Sequence, residues 1–229
     1  RIPGAADGFS LAIYPGSFNP PSVAHVEIAR VVMQMRTTRG IDAVWLDMAV
    51  HSGGSKAYVD TIIDERVNMS ALAVEGVVPG AAATRIAPNL KDPLGFEYFE
   101  VIRALVSGRT GTSKGSITWV IGSDVVEGMK YWQEKARSQM MMVDEVAVIL
   151  RSGQTSAQVQ DLMDGLLAPP APRTPKITMI SLAPEFANVS STEIRREILS
   201  LKKLSLHPVL EYVFAHSRLL ALYQNVTKV

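Results

Sequence analysis

The 229-residue sequence contains no cysteine. That absence excludes a disulfide framework and any zinc site built on thiolates. Neither sign of charge is in excess, with 23 Lys+Arg against 22 Asp+Glu. A basic arm for nucleic acid and a polybasic surface for membranes are therefore not expected. No apolar run reaches the roughly 18 residues that a membrane-spanning helix needs. The longest candidate, 140–150, is broken by Asp144 and Glu145. A basic segment followed by an apolar one, the mark of a secretory leader, is not seen at the start, so a cytoplasmic location is expected. Glycine and proline, 16 and 13 residues, stand at ordinary levels, which removes collagen-like and disordered classes. The four histidines, His25, His51, His207 and His216, lack the H-x-x-x-H spacing of a helix-borne zinc site. What remains is a chain with 47% hydrophobic residues, long enough to bury a sizeable core in one large or two small domains.

Short runs rich in β-formers alternate with longer stretches of helical period and show no internal repeat. Strands are predicted over 10–14, 41–50, 84–87, 117–121, 145–150 and 176–182. Helices are predicted over 22–36, 61–74, 96–106, 129–140 and 156–167, with a helical tail from 192 interrupted at His207-Pro208. Residues 76–83 and 107–116 read as exposed loops. This alternation implies βαβ units and a mostly parallel α/β sheet covered on both faces. In such sheets ligands bind beyond the carboxyl ends of the strands, so the residues that follow each strand are the informative ones.

Gly16-Ser17-Phe18-Asn19-Pro20-Pro21-Ser22-Val23-Ala24-His25 leaves the first strand and enters the first helix. Gly16 permits close approach of a ligand, and the free N–H groups of a helix start attract phosphate. Ser22 and His25, at i and i+3, project from one face of that first turn. Taken alone, the segment also reads as a proline-rich turn with a space-filling histidine. Near the other end, Ser190-Ser191-Thr192-Glu193-Ile194-Arg195 fits a capping box from Ser190 to Glu193. Its hydroxyls, N–H groups and Arg195 also make a phosphate clamp.

Together these two segments resemble the signatures of the adenylyl/cytidylyltransferase superfamily, a Gly-x-Phe-x-Pro turn leading to (His/Thr)-x-x-His and a distant Ser-Ser-Thr-x-x-Arg. Their order and their separation make the pair far more specific than either alone. The resemblance implies a Rossmann-like, doubly wound parallel sheet. It also implies that His25 and Arg195 are catalytic and that Gly16, Ser17, Phe18, Ser22, Ser191 and Thr192 bind ATP phosphates. The sequence departs from the pattern at Ser22, which keeps the hydroxyl of the Thr variant but cannot carry positive charge.

In the middle of the chain, Gly122-Ser123-Asp124 ends a buried strand, Trp132 follows, and the strand after it ends in Arg151. Asp124 reads either as an N-capping acid at a strand end or as a ribose-binding one, and Trp132 either as core or as a stacking platform. This arrangement resembles the nicotinamide/nicotinate mononucleotide adenylyltransferases, as do Lys56, Glu65-Arg66, Met69 and the tail from Pro208 to Tyr223. The similarity thus runs from Ile13 to Tyr223. It implies that Gly122 and Asp124 hold the nucleotide, that Trp132 stacks on the pyridine ring, and that Lys56 binds substrate. For Lys56 a solvated loop lysine stays equally open, and Arg66 reads more readily as a helix-surface residue. Two departures fall on the acceptor side. His51-Ser-Gly-Gly-Ser-Lys56 replaces an Asn-Pro-His-Lys type of segment, and Glu97-Tyr98-Phe99 stands where Tyr-Thr is usual in the bacterial enzymes.

The expected chemistry is adenylyl transfer between ATP and a pyridine mononucleotide, with Mg²⁺ held mainly by the substrate phosphates. An ionised phosphate nucleophile needs no strong base, so positioning and charge neutralisation suffice. Another transferase of the superfamily (a pantetheine-phosphate adenylyltransferase or a cytidylyltransferase), a non-catalytic nucleotide-binding protein and an inert scaffold stay open as alternatives. So does association between copies of the chain. Because the two signatures must meet around one ligand, 1–189 is expected to form the core. Residues 190–229 are then a small helical C-terminal portion packed on it that completes the phosphate site.

Overall fold

The computed structural model describes residues 9–35, 38, 40–48, 63–74, 76–86, 96–110, 115–131, 133–151, 153–168, 173–187, 189 and 191. Six strands, β1 (Ser10–Gly16), β2 (Ala43–Met48), β3 (Ala81–Thr84), β4 (Ser116–Gly122), β5 (Glu145–Leu150) and β6 (Lys176–Ser181), form one sheet in the order β3-β2-β1-β4-β5-β6. Every pairing in it is parallel. The described helices are α1 (Val23–Gln34), α2 (Ile63–Val74), α3 (Phe96–Thr110), α4 (Ser123–Met129), α5 (Gln133–Met140), α6 (Ser156–Leu167) and α7 (Pro184–Ala187). Among the described residues no helix is long and apolar enough to cross a membrane.

Successive side chains of a strand point to opposite faces, and here both faces are buried. Ala12 and Tyr14 of β1 join Ile28, Ala29 and Val32 of α1 and Met69 and Val74 of α2 in one core cluster. Leu11 and Ile13, the alternate residues, join Tyr98 and Ile102 of α3, Met129 of α4 and Met163 of α6 in the other. Burial on both sides is why the strands read as continuous apolar runs rather than as alternating ones. The doubly wound, Rossmann-like sheet expected from the sequence is the fold observed.

The amino edge of the sheet is tied down by carboxylates. Asp42 Oδ2 accepts the Ser10 N–H at 2.9 Å, and Asp144 Oδ2 accepts the Ile117 N–H at 2.8 Å. Arg103 of α3 clamps the same Asp144 at 3.0 Å and donates to the Met142 carbonyl at 2.8 Å. The carboxyl edge carries the chemistry-bearing residues instead.

Most elements lie within two residues of their expected bounds, and the larger differences are these. β3 lies at Ala81–Thr84 rather than 84–87, within a stretch expected to be loop. Its alanines have little β-propensity, and pairing with β2, from Val44↔Ala81 to Asp47↔Thr84, decides its place. The helix expected over 129–140 spans Gln133–Met140, and a further helix, α4, comes directly off β4 before it, with Gly122 as its N-cap in extended conformation. α3 runs on to Thr110, past the expected end at 106.

Candidate functional site

From β1 the chain winds outward through β2 and β3, and from β4 it winds the other way through β5 and β6. Connections leaving β1 and β4 therefore diverge and open a crevice at the carboxyl edge, the place where such sheets take ligands. Gly16–His25 leaves β1 there and Gly122–Asp124 leaves β4, so two segments about a hundred residues apart in the chain face one crevice.

The β1 loop is shaped by Phe18, whose φ of +42° lies in the left-handed region. That conformation costs a side-chain-bearing residue on the order of 1–3 kcal/mol and persists only when the surroundings over-determine it. They do so here. The ring is 1% exposed and packs edge-on against Tyr14 (centroids 5.3 Å apart) and His25 (5.1 Å). Gly16 is required beneath it, because a Cβ there would lie 2.9 Å from Phe18 Cζ. The side chain of Phe18 thus builds the loop, and only its backbone is left to face a ligand. Arg66 of α2, fully buried, donates from Nη1 to the Ser17 carbonyl at 2.7 Å. The surface position expected for Arg66 is therefore corrected. It lies on the buried stripe of α2 with Ile63, Met69, Ser70, Ala73 and Val74, and that periodicity was available in the sequence.

Ser22 is the N-cap of α1 and is fully buried. Its N–H donates to His25 Nδ1 at 2.9 Å, and its hydroxyl lies 2.7 Å from the same nitrogen. His25 thus occupies the third helical position, where a capping box usually has Glu or Gln. With Nδ1 accepting, the neutral ring carries its proton on Nε2. Tyr14 (6.0 Å) and Phe18 hold the ring's faces. Burial first, and the positive Arg151 second, push the His25 pKa down to about 4. At neutral pH the half-buried imidazole is an uncharged, preoriented hydrogen-bond donor rather than a cation. Burial also keeps the Tyr14 phenol protonated.

Across the crevice, a Cβ on Gly122 would collide with Asp124 Oδ1, so the glycine lets the carboxylate fold back over the end of β4. Asp124 is 61% exposed and pairs with Arg151 Nε at 3.4 Å. Arg151 is anchored through its backbone, since its N–H donates to the buried Ser123 Oγ at 3.0 Å. Ser123 in turn donates to Gln154, and Gln154 to Glu127. Arg151 stood in the sequence only as the end of a strand. The fold brings its charge close enough to shift both His25 and Tyr14.

A second carboxylate, not singled out in the sequence, closes the β2 side. Buried Asp47 accepts from Tyr98 Oη at 2.7 Å, Thr84 Oγ1 at 2.9 Å and the Ile86 N–H at 2.9 Å. Burial raises its pKa, and these three donors oppose the rise. Tyr98, fully buried, belongs to the Glu97-Tyr98-Phe99 stretch of α3 that stands where the bacterial enzymes were expected to have Tyr-Thr. Burial and Asp47 hold its hydroxyl protonated. Ser191 is helical and half-buried, whereas Lys56, Trp132, Thr192, Arg195 and the C-terminal portion lie outside the described residues.

Among solved structures, the chain resembles Plasmodium falciparum nicotinic acid mononucleotide adenylyltransferase complexed with APC. The TM-score is 0.57 at 15% identity over 90% of this chain and 95% of that one. The same enzyme complexed with NaAD gives 0.58 at 13% identity with the same coverage. At such identities the likeness speaks for the fold. No curated protein sequence matches the chain. Residues 13–197 match the cytidylyltransferase-like family, a span that takes in the β1 loop, the crevice and the Ser190–Arg195 run. With well over half of its length matched, this chain belongs to the cytidylyltransferase-like family, within the nucleotidyltransferase superfamily.

Proposed function

We propose that the protein is an adenylyltransferase that joins ATP to nicotinamide or nicotinate mononucleotide. The 5′-phosphate oxygen of the mononucleotide attacks the α-phosphorus of ATP in line. The bond from that phosphorus to the bridging oxygen breaks, and pyrophosphate leaves with the electron pair. One observation carries the proposal: His25, locked by Ser22 with its proton on Nε2, stands at the crevice between β1 and β4. A fixed neutral donor suits the charge that builds on the α-phosphoryl oxygens, because it needs no reorganisation as the charge develops. Gly16, Ser17 and Phe18 would face the phosphates through their backbone, with Arg195, Ser191 and Thr192 completing the polyphosphate side. Gly122 and Asp124 would hold ribose, and Trp132 and Lys56 the acceptor.

Magnesium belongs to this proposal as the ion of the nucleotide. The donor set fits that role. The crevice offers mostly hydrogen-bond donors, with Asp124 as its exposed carboxylate, so the phosphates would supply most of the ligands. When bound, the ion spreads the charge of the leaving pyrophosphate.

Support for a pyridine acceptor comes from one similarly folded enzyme, the Plasmodium falciparum nicotinic acid mononucleotide adenylyltransferase, complexed with APC in one structure and with NaAD in another. Tyr98, buried on Asp47, favours a second reading, in which the acceptor differs and the transfer chemistry is kept. The test is pyrophosphate release from ATP, and from CTP, with nicotinamide mononucleotide, nicotinate mononucleotide and phosphopantetheine as acceptors. Turnover with a pyridine mononucleotide and ATP is expected, and its absence refutes the proposal.

A further inference from the structure

Arg66 has no part in the chemistry just described, yet its guanidinium is buried and donates to the Ser17 carbonyl of the crevice loop. That carbonyl belongs to the same peptide unit as the Phe18 N–H. The unit is trans, since the one cis bond among the described residues is Asn19-Pro20. In a trans peptide the C=O and N–H vectors point in opposite directions. Fixing one therefore aims the other.

The direction follows from the fold. α2 packs on β2 and β3, so the guanidinium approaches the loop from that half of the sheet. β4 and β5 lie on the other side of β1. A Ser17 carbonyl drawn toward α2 turns the Phe18 N–H away from that helix. Phe18 cannot drift from this setting, because its ring is wedged between Gly16, Tyr14 and His25. A guanidinium suits the task, since its planar fork loses little freedom for each hydrogen bond it forms.

We propose that Arg66 is a positioning residue, which holds the Ser17–Phe18 peptide so that the Phe18 N–H is presented to a phosphate group of the bound nucleotide. It rests on the crevice being a nucleotide phosphate site, as proposed above. Arg66 itself touches no substrate. Its loss therefore weakens only ligands that carry phosphate, and leaves recognition of the nucleoside intact.

The experiment is calorimetric titration of the wild type, Arg66→Lys and Arg66→Met with ATP, adenosine and inorganic tripolyphosphate. Losing one well-aimed donor to a charged group weakens binding by about tenfold to a hundredfold. That loss is expected for ATP and tripolyphosphate with Arg66→Met, with adenosine changed less than about twofold. Arg66→Lys, which keeps the charge without the fork, is expected to fall between. Equal weakening of ATP and adenosine, or no weakening of either, overturns the proposal. Should Arg66→Met fail to fold, Arg66→Lys is joined by an amide NMR titration of the wild type with tripolyphosphate. The Phe18 resonance is then expected to shift, and an unmoved resonance overturns the proposal. A wild type that binds ATP and tripolyphosphate but transfers no adenylyl group refutes the proposed function and leaves the role of Arg66 standing.

Discussion

Replacing His25 by glutamine and, separately, by alanine divides the two tasks that one side chain performs. The imidazole accepts the Ser22 N–H at 2.9 Å, which caps α1, and its opposite nitrogen offers the crevice a proton. Glutamine is a natural third residue of a capping box, and its Oε1 can take the Ser22 N–H in place of Nδ1. Without a ring for Tyr14 and Phe18 to hold, its amide is not fixed at the place of Nε2. Alanine removes both functions. Both variants lose the ring contacts with Tyr14 and Phe18, about 0.5–1.5 kcal/mol for each aromatic pair. Alanine alone also loses the cap, about 1 kcal/mol. For a chain of this size that difference corresponds to about 2–4 °C in Tm. Turnover is expected to fall about 10²–10³-fold in both variants, the usual effect of deleting one preorganised donor. Thermal unfolding and pyrophosphate release, measured on the same preparations, read the two tasks independently. Wild-type turnover in His25→Gln refutes the catalytic donor, and a Tm as low as that of His25→Ala refutes the capping role.

Arg151→Gln removes the positive charge that helps to hold His25 neutral. The His25 pKa is expected to rise from about 4, as read by NMR titration of its ring protons, and an unchanged titration refutes the coupling. Tyr98→Phe takes one of the three donors from buried Asp47, at a cost of about 1–3 kcal/mol near neutral pH. The sign of its pH dependence follows from linkage. The folded pKa of Asp47 already lies above the unfolded 3.8, so the folded state holds the extra proton and stability falls as pH rises through that window. Losing the Tyr98 donor raises the folded pKa further. The destabilisation should therefore be largest near pH 7 and shrink as pH falls toward 4 in chemical denaturation. A penalty independent of pH refutes the account.

The parallel sheet was legible because buried parallel strands write themselves as apolar runs, as Ile117–Ile121 and Glu145–Leu150 do, whereas the order of its strands comes from the fold alone. β3 was misplaced because three alanines carry no β signal and only the neighbouring strand fixes them. The β1 loop was recognised as a motif, but its physics was not visible. Nothing in the string Gly-Ser-Phe says that the phenyl ring folds back over the glycine, or that an arginine 49 residues away holds the serine carbonyl. Arg66 is spaced to share the buried stripe of α2 with Ile63, Met69 and Ala73, and the usual surface position of arginine concealed it. Ser22 is the opposite case. As a letter it looked like a weakened histidine or threonine, whereas its hydroxyl and N–H are what orient His25. Asp47 and Tyr98 lie 51 residues apart, and only the packing of α3 over the sheet brings them together.

The pairing of β1 with β4 has a consequence for how the protein acquires its site. Ser10 and Ser116, joined by a side-chain hydrogen bond at 2.7 Å, are 106 residues apart. The crevice is the seam between two halves that chain connectivity keeps distant, so the loop-closure cost of bringing them together precedes any reward from the site. Until that seam closes, neither half offers a complete binding surface. A nucleotide bound across it acts on the native state alone, and its mass action works against separation of the halves. Ligand should therefore slow the opening of this seam more than the fraying of β6 at the far edge, an ordering that hydrogen exchange can read strand by strand.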